Sequence, residues 1–218
     1  MNINQILMTV LMAGIPLIFA ITMHEAAHGF IAKLRGDNTA YKLGRVTLNP
    51  VPHIDPIGTV LVPAIMLLSS LTAGFPFVFG WAKPVPVNYN NLKNSKSDMA
   101  LVALAGPMAN FFMALIWISI YKHIDLHPYI QEMALYGVMI NVVLMILNLL
   151  PIPPLDGSKI ISAFLTPAMA YKYNSYERYG FMILIALIIT PYHNSSILFQ
   201  IMNPFIATVI KILQVISI

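Results

Sequence analysis

His24 and His28 stand four residues apart, and Glu25 follows the first, in Met23-His24-Glu25-Ala26-Ala27-His28-Gly29. On a helix, residues i and i+4 share one face. Two imidazoles so placed can grip one zinc ion, while Glu25 sits beside the water that such an ion activates and serves as its general base. The chemistry is metal-assisted hydrolysis. With 6 His in 218 residues and Glu only at positions 25, 132 and 177, chance alone gives the pattern in roughly two chains per thousand. The motif also lies inside a run of apolar residues, and ionisable groups at membrane depth are costly and by default functional.

A catalytic zinc takes three protein ligands and keeps one position open. The chain has no cysteine, so no thiolate can serve. A metzincin-type extension would need Gly and His where Ile31 and Leu34 stand. Asp37, Asp98, Asp125, Glu132 and Glu177 lie in polar junctions beside basic residues and read as solvated charges. Two carboxylates remain, Asp55 in Pro52-His53-Ile54-Asp55-Pro56 and Asp156 in the stretch from Asn148 to Gly157. Asp156 is preferred. It follows a long apolar helix whose end is unwound by Pro151, Pro153 and Pro154, so a carboxylate can turn inward. Asp55 reads as a turn residue at the mouth of a hairpin.

The elements that must position these groups belong to a membrane protein. Hydrophobic residues make up 58% of the chain, charged residues 9%, and mean hydropathy is +0.77. Soluble domains carry about 25% charged residues. The apolar runs are long and continuous rather than alternating, which predicts a polytopic α-helical bundle. The length suits a single domain over 1–218, with a catalytic core over residues 4–160 and C-terminal helices over 175–218. Helices are expected over Asn4–Leu34, Ser97–Lys122, Tyr129–Leu149, Ser158–Thr166, Tyr179–Pro191 and Ser196–Ile218. Tyr41–Leu48 alternates as a short strand does. Lys83–Asn88 is held extended by Pro84 and Pro86. These two are the small β elements expected near the cytoplasmic face. The first apolar run has no Lys or Arg before it and leads directly into the zinc motif, unlike a cleaved signal peptide. The net charge of +4 comes from basic residues flanking apolar runs, which argues against nucleic-acid binding.

Basic residues also set the topology. If Pro56–Trp81 crosses the bilayer, Lys and Arg divide five against six between the two faces, which gives no orientation. If it enters and leaves on one side, they divide ten against one, with Lys122 alone on the minority side and Lys211 uncounted within the last helix. The positive-inside rule prefers the second arrangement. The segment is therefore expected to be a re-entrant hairpin, with five full crossings elsewhere and the N-terminus outside. The first helix and the helix ending at Leu149 then both finish near the cytoplasmic face, and His24, His28 and Asp156 share a depth.

His24-Glu25-Ala26-Ala27-His28 followed by Asn148-Leu149-Leu150-Pro151-Ile152-Pro153-Pro154-Leu155-Asp156-Gly157 resembles the paired signature of the site-2 protease family, intramembrane zinc metalloproteases. Gly106-Pro107-Met108-Ala109-Asn110 and Gly80-Trp81-Ala82-Lys83-Pro84-Val85-Pro86-Val87 resemble further elements of the family's compact subgroup. The likeness covers residues 10–160 and leaves no room for the PDZ domain that many relatives insert. It implies one Zn2+ per chain held by His24, His28 and Asp156, with Glu25 catalytic and Asn148 polarising the scissile carbonyl or its oxyanion. It further implies single-pass transmembrane substrates or signal-peptide remnants, and residence in a bacterial inner membrane with the site toward the cytoplasm.

Two other readings compete. A metal transporter would spread ligands along a path, whereas these gather at one depth. An inactive scaffold that binds membrane partners has no use for Glu25. Asn110 and Asn141 read as interhelical hydrogen-bonding groups or supports for the site, His53 as a hairpin residue that can meet substrate, and the 14 methionines as packing. The extended stretches at 41–48 and 83–88 offer edges to which an unwound substrate can pair.

Overall fold

A computed structural model describes residues 3–62, 65, 80–125, 127–193 and 195–217. Apolar runs become long helices because hydrocarbon offers backbone N–H and C=O groups no partner but each other. The helices are α1 (Ile3–Leu34), α2 (Thr39–Lys42), α3 (Ser95–His123), α4 (Pro128–Leu149), α5 (Asp156–Phe164), α6 (Pro167–Asn174), α7 (Glu177–Ile189) and α8 (Ile197–Ile216). Among the described residues four have the length and hydropathy to cross a membrane: α1 from Met8 onward, α3, α4 and α8. α7 stands where a further crossing is expected. Its 13 residues reach about 20 Å at helical rise, against about 30 Å of hydrocarbon. The short strands β1 (Pro191–Tyr192) and β2 (Ser195–Ser196) join α7 to α8 as an antiparallel pair, with Pro191 opposite Ser196.

Local chemistry sets the helix ends. Pro128 opens α4 behind His127, whose ring accepts from Tyr129 N, and the prolines from 151 onward stop it. Pro167 opens α6 behind Thr166, and Ser196 caps α8 through Phe199 N.

Side-chain bonds between helices fix their order and direction. Asn110 on α3 donates to Ala20 O of α1 and to Asn141 Oδ1 of α4, while His28 of α1 reaches Val102 O of α3. Along α1 from Ala20 to His28, α3 therefore runs from Asn110 to Val102, antiparallel. Asp156, just beyond α4, meets His24 and His28, so α4 runs parallel to α1. An apolar cluster that includes Ala114, Val142, Met145, Met202 and Leu213 packs α3 and α4 against α8.

The junction between α1 and α3 departs from the sequence reading. Asp37 and Asp98 are not solvated; they are 0% and 1% exposed. The Asp37 carboxylate accepts from Thr39 N and Oγ1, Asn88 N and Asn91 Nδ2. Asp98 reaches back to Asn94 N at 2.8 Å and faces Arg35 Nε at 3.5 Å. Short carboxylates beside chain turns find backbone N–H donors, and those donors make burial affordable. Residues 41–48 form no strand. Asp37 starts α2 there, and Gly44, at φ +67°, ends it in a left-handed turn that L side chains avoid.

The two ends of Pro56–Trp81 meet. Trp81 N donates to Gly58 O, and Thr59 Oγ1 donates to Trp81 O. Lys93 N donates to Arg35 O at 3.0 Å. The segment thus begins and ends at one place, as a hairpin must. Most of its interior lies outside the described residues.

These bonds give Asp37 a pH signature. Burial opposes its ionisation, but the Thr39, Asn91 and Asn88 donors outweigh it and hold the carboxyl below its ordinary value of 3.8. A depressed folded pKa contributes stability above the unfolded value that is lost as pH falls through it. Asp37→Asn should therefore lower the thermal stability of the detergent-solubilised protein at pH 7. The gap to wild type should narrow as pH drops below about 4. A gap independent of pH would mean that the charge is not what Asp37 contributes.

Candidate metal centre

α1 presents His24 and His28 on one face, and the turn at Pro153–Leu155 swings Asp156 beneath them. His24 Nε2 lies 3.0 Å from His28 Nε2. Asp156 Oδ2 lies 3.1 Å from the first and 3.2 Å from the second. All three residues are buried, and among the described residues they form the one cluster of His, Asp or Glu suited to a metal ion.

The outer ring atoms decide what these inner atoms can do. His24 Nδ1 meets Asn110 Oδ1 at 2.7 Å, and that amide spends its own N–H groups on Ala20 O and Asn141 Oδ1. His28 Nδ1 meets Val102 O, also at 2.7 Å. Both partners are acceptors, so each Nδ1 carries the proton and each Nε2 turns a lone pair inward. Asp156 Oδ2 is buried and has no hydrogen-bond partner. Three lone pairs facing one another repel unless a cation joins them. Ligand atoms around a tetrahedral zinc with bonds of about 2.1 Å stand about 3.4 Å apart, close to the triangle found here. The donor set fits zinc.

Space for the cluster comes from α3. A Cβ built on Gly106 would stand 2.4 Å from His28 Nε2 and 2.6 Å from His24 Nε2. Only glycine lets α3 pass so close. Gly106 and Asn110 are four apart and share a face, so one helix face supplies both clearance and the hydrogen bond that sets the ring.

Glu25 is half-buried beside the pair, and its Oε2 accepts the Val85 N–H at 2.6 Å. Asn148 does not join the cluster. Its Nδ2 donates to Leu144 O, 3.0 Å away in its own helix. Asp55 stands apart as well, since its Oδ1 caps the π-helical segment Pro56–Leu61 through Ile57 N and Gly58 N. No sequence motif marks the Val102 carbonyl or the Val85 amide, because every residue but proline supplies both groups.

The family model for peptidase family M50 matches residues 117–191, the stretch that holds Asp156. "Putative zinc metalloprotease YwhC" of Bacillus subtilis (strain 168) is 38% identical over 213 residues, covering 93% of this chain and 90% of that protein. This chain belongs to peptidase family M50. "Putative zinc metalloprotease Rip2" of Mycolicibacterium smegmatis is 27% identical over 176 residues, 80% of this chain and 65% of that protein. The Rip2 of Mycobacterium tuberculosis (strain H37Rv) is 23% identical over 177 residues, 79% of this chain and 64% of that protein. No solved structure matches the chain. The resemblance to site-2 proteases is borne out. With four membrane-length helices, this M50 member is an integral membrane protein.

Two substitutions on α3 separate clearance from orientation. Gly106→Ala should abolish stoichiometric zinc in the purified protein while leaving helicity by circular dichroism unchanged. Asn110→Ala should keep the site but weaken zinc binding by roughly 10–100-fold, as loss of an outer-shell partner does. Equal zinc affinity in Asn110→Ala and wild type would show that His24 needs no such partner.

Proposed function

We propose that this chain is an intramembrane zinc metalloprotease that cleaves transmembrane segments of single-pass proteins or signal-peptide remnants. One observation carries the reading. Three converging acceptors, with a carboxylate beside them, are buried among helices of membrane length. Gly106, which faces the imidazoles, lies 11 residues into α3, roughly 16 Å from its start at helical rise. Peptides that reach this site are themselves in the bilayer. The M50 relatives from bacteria and the ten-to-one division of basic residues support a bacterial inner membrane, with the site toward the cytoplasm.

His24, His28 and Asp156 would hold the zinc, one per chain. The bound ion supplies Lewis acidity, which lowers the pKa of water and polarises a carbonyl. Asn110 and Val102 keep both imidazoles in the liganding tautomer. Glu25 takes the proton of the attacking water at Oε1, because Val85 N–H occupies Oε2, and delivers it to the leaving amine. Asn148 is the proposed donor to the scissile carbonyl, a role it reaches by turning its amide away from Leu144 O. A substrate helix must unwind before this geometry can act on it. Of the two expected pairing edges, 41–48 begins in the helical turn α2, while 83–88 has no helix and ends in an extended Asn88. There Asn88 N is held by Asp37 and Val85 N by Glu25, which among the described residues leaves the Val87 N–H for the substrate backbone.

Purified protein should cleave a single-pass model substrate in detergent or liposomes, and a zinc chelator should stop it. Glu25→Gln should retain zinc and substrate while cleavage falls by at least about 10²-fold. Asp156→Ala should lose zinc, and Asp55→Ala should keep it. Appreciable turnover by Glu25→Gln rules out the general base, and zinc loss in Asp55→Ala alone transfers the third ligand to Asp55.

A further inference from the structure

Arg45 is buried, 8% exposed, and among the described residues none of its hydrogen bonds goes to a carboxylate. Its Nη2 donates to Lys83 O at 2.7 Å and to Pro84 O at 3.3 Å. Its own N–H donates to Ala40 O, which roots it beside α2. Burying a guanidinium is costly unless it is paired, and this one is spent on two backbone carbonyls of an exposed loop.

The second of those carbonyls explains the expense. Pro84 C=O and Val85 N–H belong to a single peptide group, which is planar, rigid and, when trans, points its oxygen and hydrogen in opposite directions. A cation meets the oxygen end, and the Glu25 carboxylate meets the N–H end at 2.6 Å. Each charge strengthens the other's hold on the peptide dipole. Lys83 N is tied in turn to His53 O, and the Val85 side chain is buried, 8% exposed. The peptide group between Pro84 and Val85 is therefore fixed on both sides, and it fixes one oxygen of Glu25.

We infer that Arg45 is a positioning residue for Glu25: by gripping Lys83 O and Pro84 O it presents Val85 N–H to Glu25 Oε2 and leaves Oε1 aimed at the attacking water. This rests on the reading of Glu25 as general base. Arg45 touches neither substrate nor metal. It acts through one peptide unit, so its effect belongs in turnover rather than in zinc or substrate binding.

A double-mutant cycle on the full-length, zinc-loaded protein tests this with a single-pass model substrate. Arg45→Gln should lower kcat by roughly 10–100-fold, as misplacing a catalytic group does, with KM changed by less than about twofold and zinc content intact. Val85→Pro removes the N–H and should cost a similar factor. The double variant should be no slower than the worse single one, because both remove the same contact. Arg45→Lys, which keeps a donor but not the planar fork, should recover at least about half of the lost activity on a logarithmic scale. Multiplying losses in the double variant, or an Arg45→Gln defect carried by KM, would overturn the inference and leave Arg45 as a loop anchor. Loss of zinc in Arg45→Gln would likewise overturn the inference, since a residue that acts only through the Pro84–Val85 peptide leaves the metal ligands in place. Glu25→Gln is assayed in parallel. Its activity decides the general base, while additivity with an inactive Glu25→Gln refutes only the role of Arg45.

Discussion

Two imidazole lone pairs and one carboxylate oxygen, pointed at a common centre and cut off from water, form an arrangement that repels itself. Most of the helical core can be read as what holds it in place. Each ring must be prevented from turning its N–H inward, so each Nδ1 needs a fixed acceptor. α3 supplies both, the Asn110 amide and the Val102 carbonyl. The Asn110 amide must then be oriented, and Ala20 O and Asn141 Oδ1 do that by taking its two N–H groups. Asn141 completes the chain by donating to Gly137 O within α4. One run of hydrogen bonds thus crosses α1, α3 and α4 at the depth of the site. In hydrocarbon such a network is stable only when its members are satisfied, and the atoms it leaves facing one another are His24 Nε2, His28 Nε2 and Asp156 Oδ2.

The face of α3 shows why size matters as much as polarity. Asn110 must be large and polar to reach His24, and Gly106, one turn away, must have no side chain at all. The positions share a face with opposite requirements, and both arise from how close α3 comes to α1. Bringing the helices together shortens the His24–Asn110 bond and removes room at residue 106 in the same movement.

The His24–Glu25–His28 triad and the unwound end of α4 were legible in the sequence because side-chain identity and helical period carry the information. That Asp156 rather than Asp55 lies beside the two histidines was legible too, and Asp55 takes the turn position expected of it. What was not legible lies in the backbone. Nothing about valine says that residue 102 offers its carbonyl to a histidine or that residue 85 offers its amide to a glutamate. Alternation at 41–48 suggested a strand, yet one buried aspartate and one left-handed glycine were enough to make a helical turn instead. Asp37 and Asp98 looked solvated because charge pattern records neighbours in sequence, while their partners are N–H groups brought in by the fold.

The direction of α3 constrains the rest of the chain. α1 and α4 must both approach the His24–His28–Asp156 cluster from the same side, since Asp156 follows α4 about as closely as His28 precedes the end of α1. α3, which connects them, must run the other way, and Asn110 and Val102 confirm that it does. It follows that α3 begins on the side where α1 ends. Whatever lies between Leu34 and Ser95 starts and finishes there, as the bond between Arg35 and Lys93 requires. A single crossing of the bilayer between α1 and α3 would place the start of α3 on the wrong face. The charge distribution and the metal geometry therefore lead separately to one topology. That topology also keeps the loop at 83–88 on the side of Glu25, where a backbone amide can reach its carboxylate.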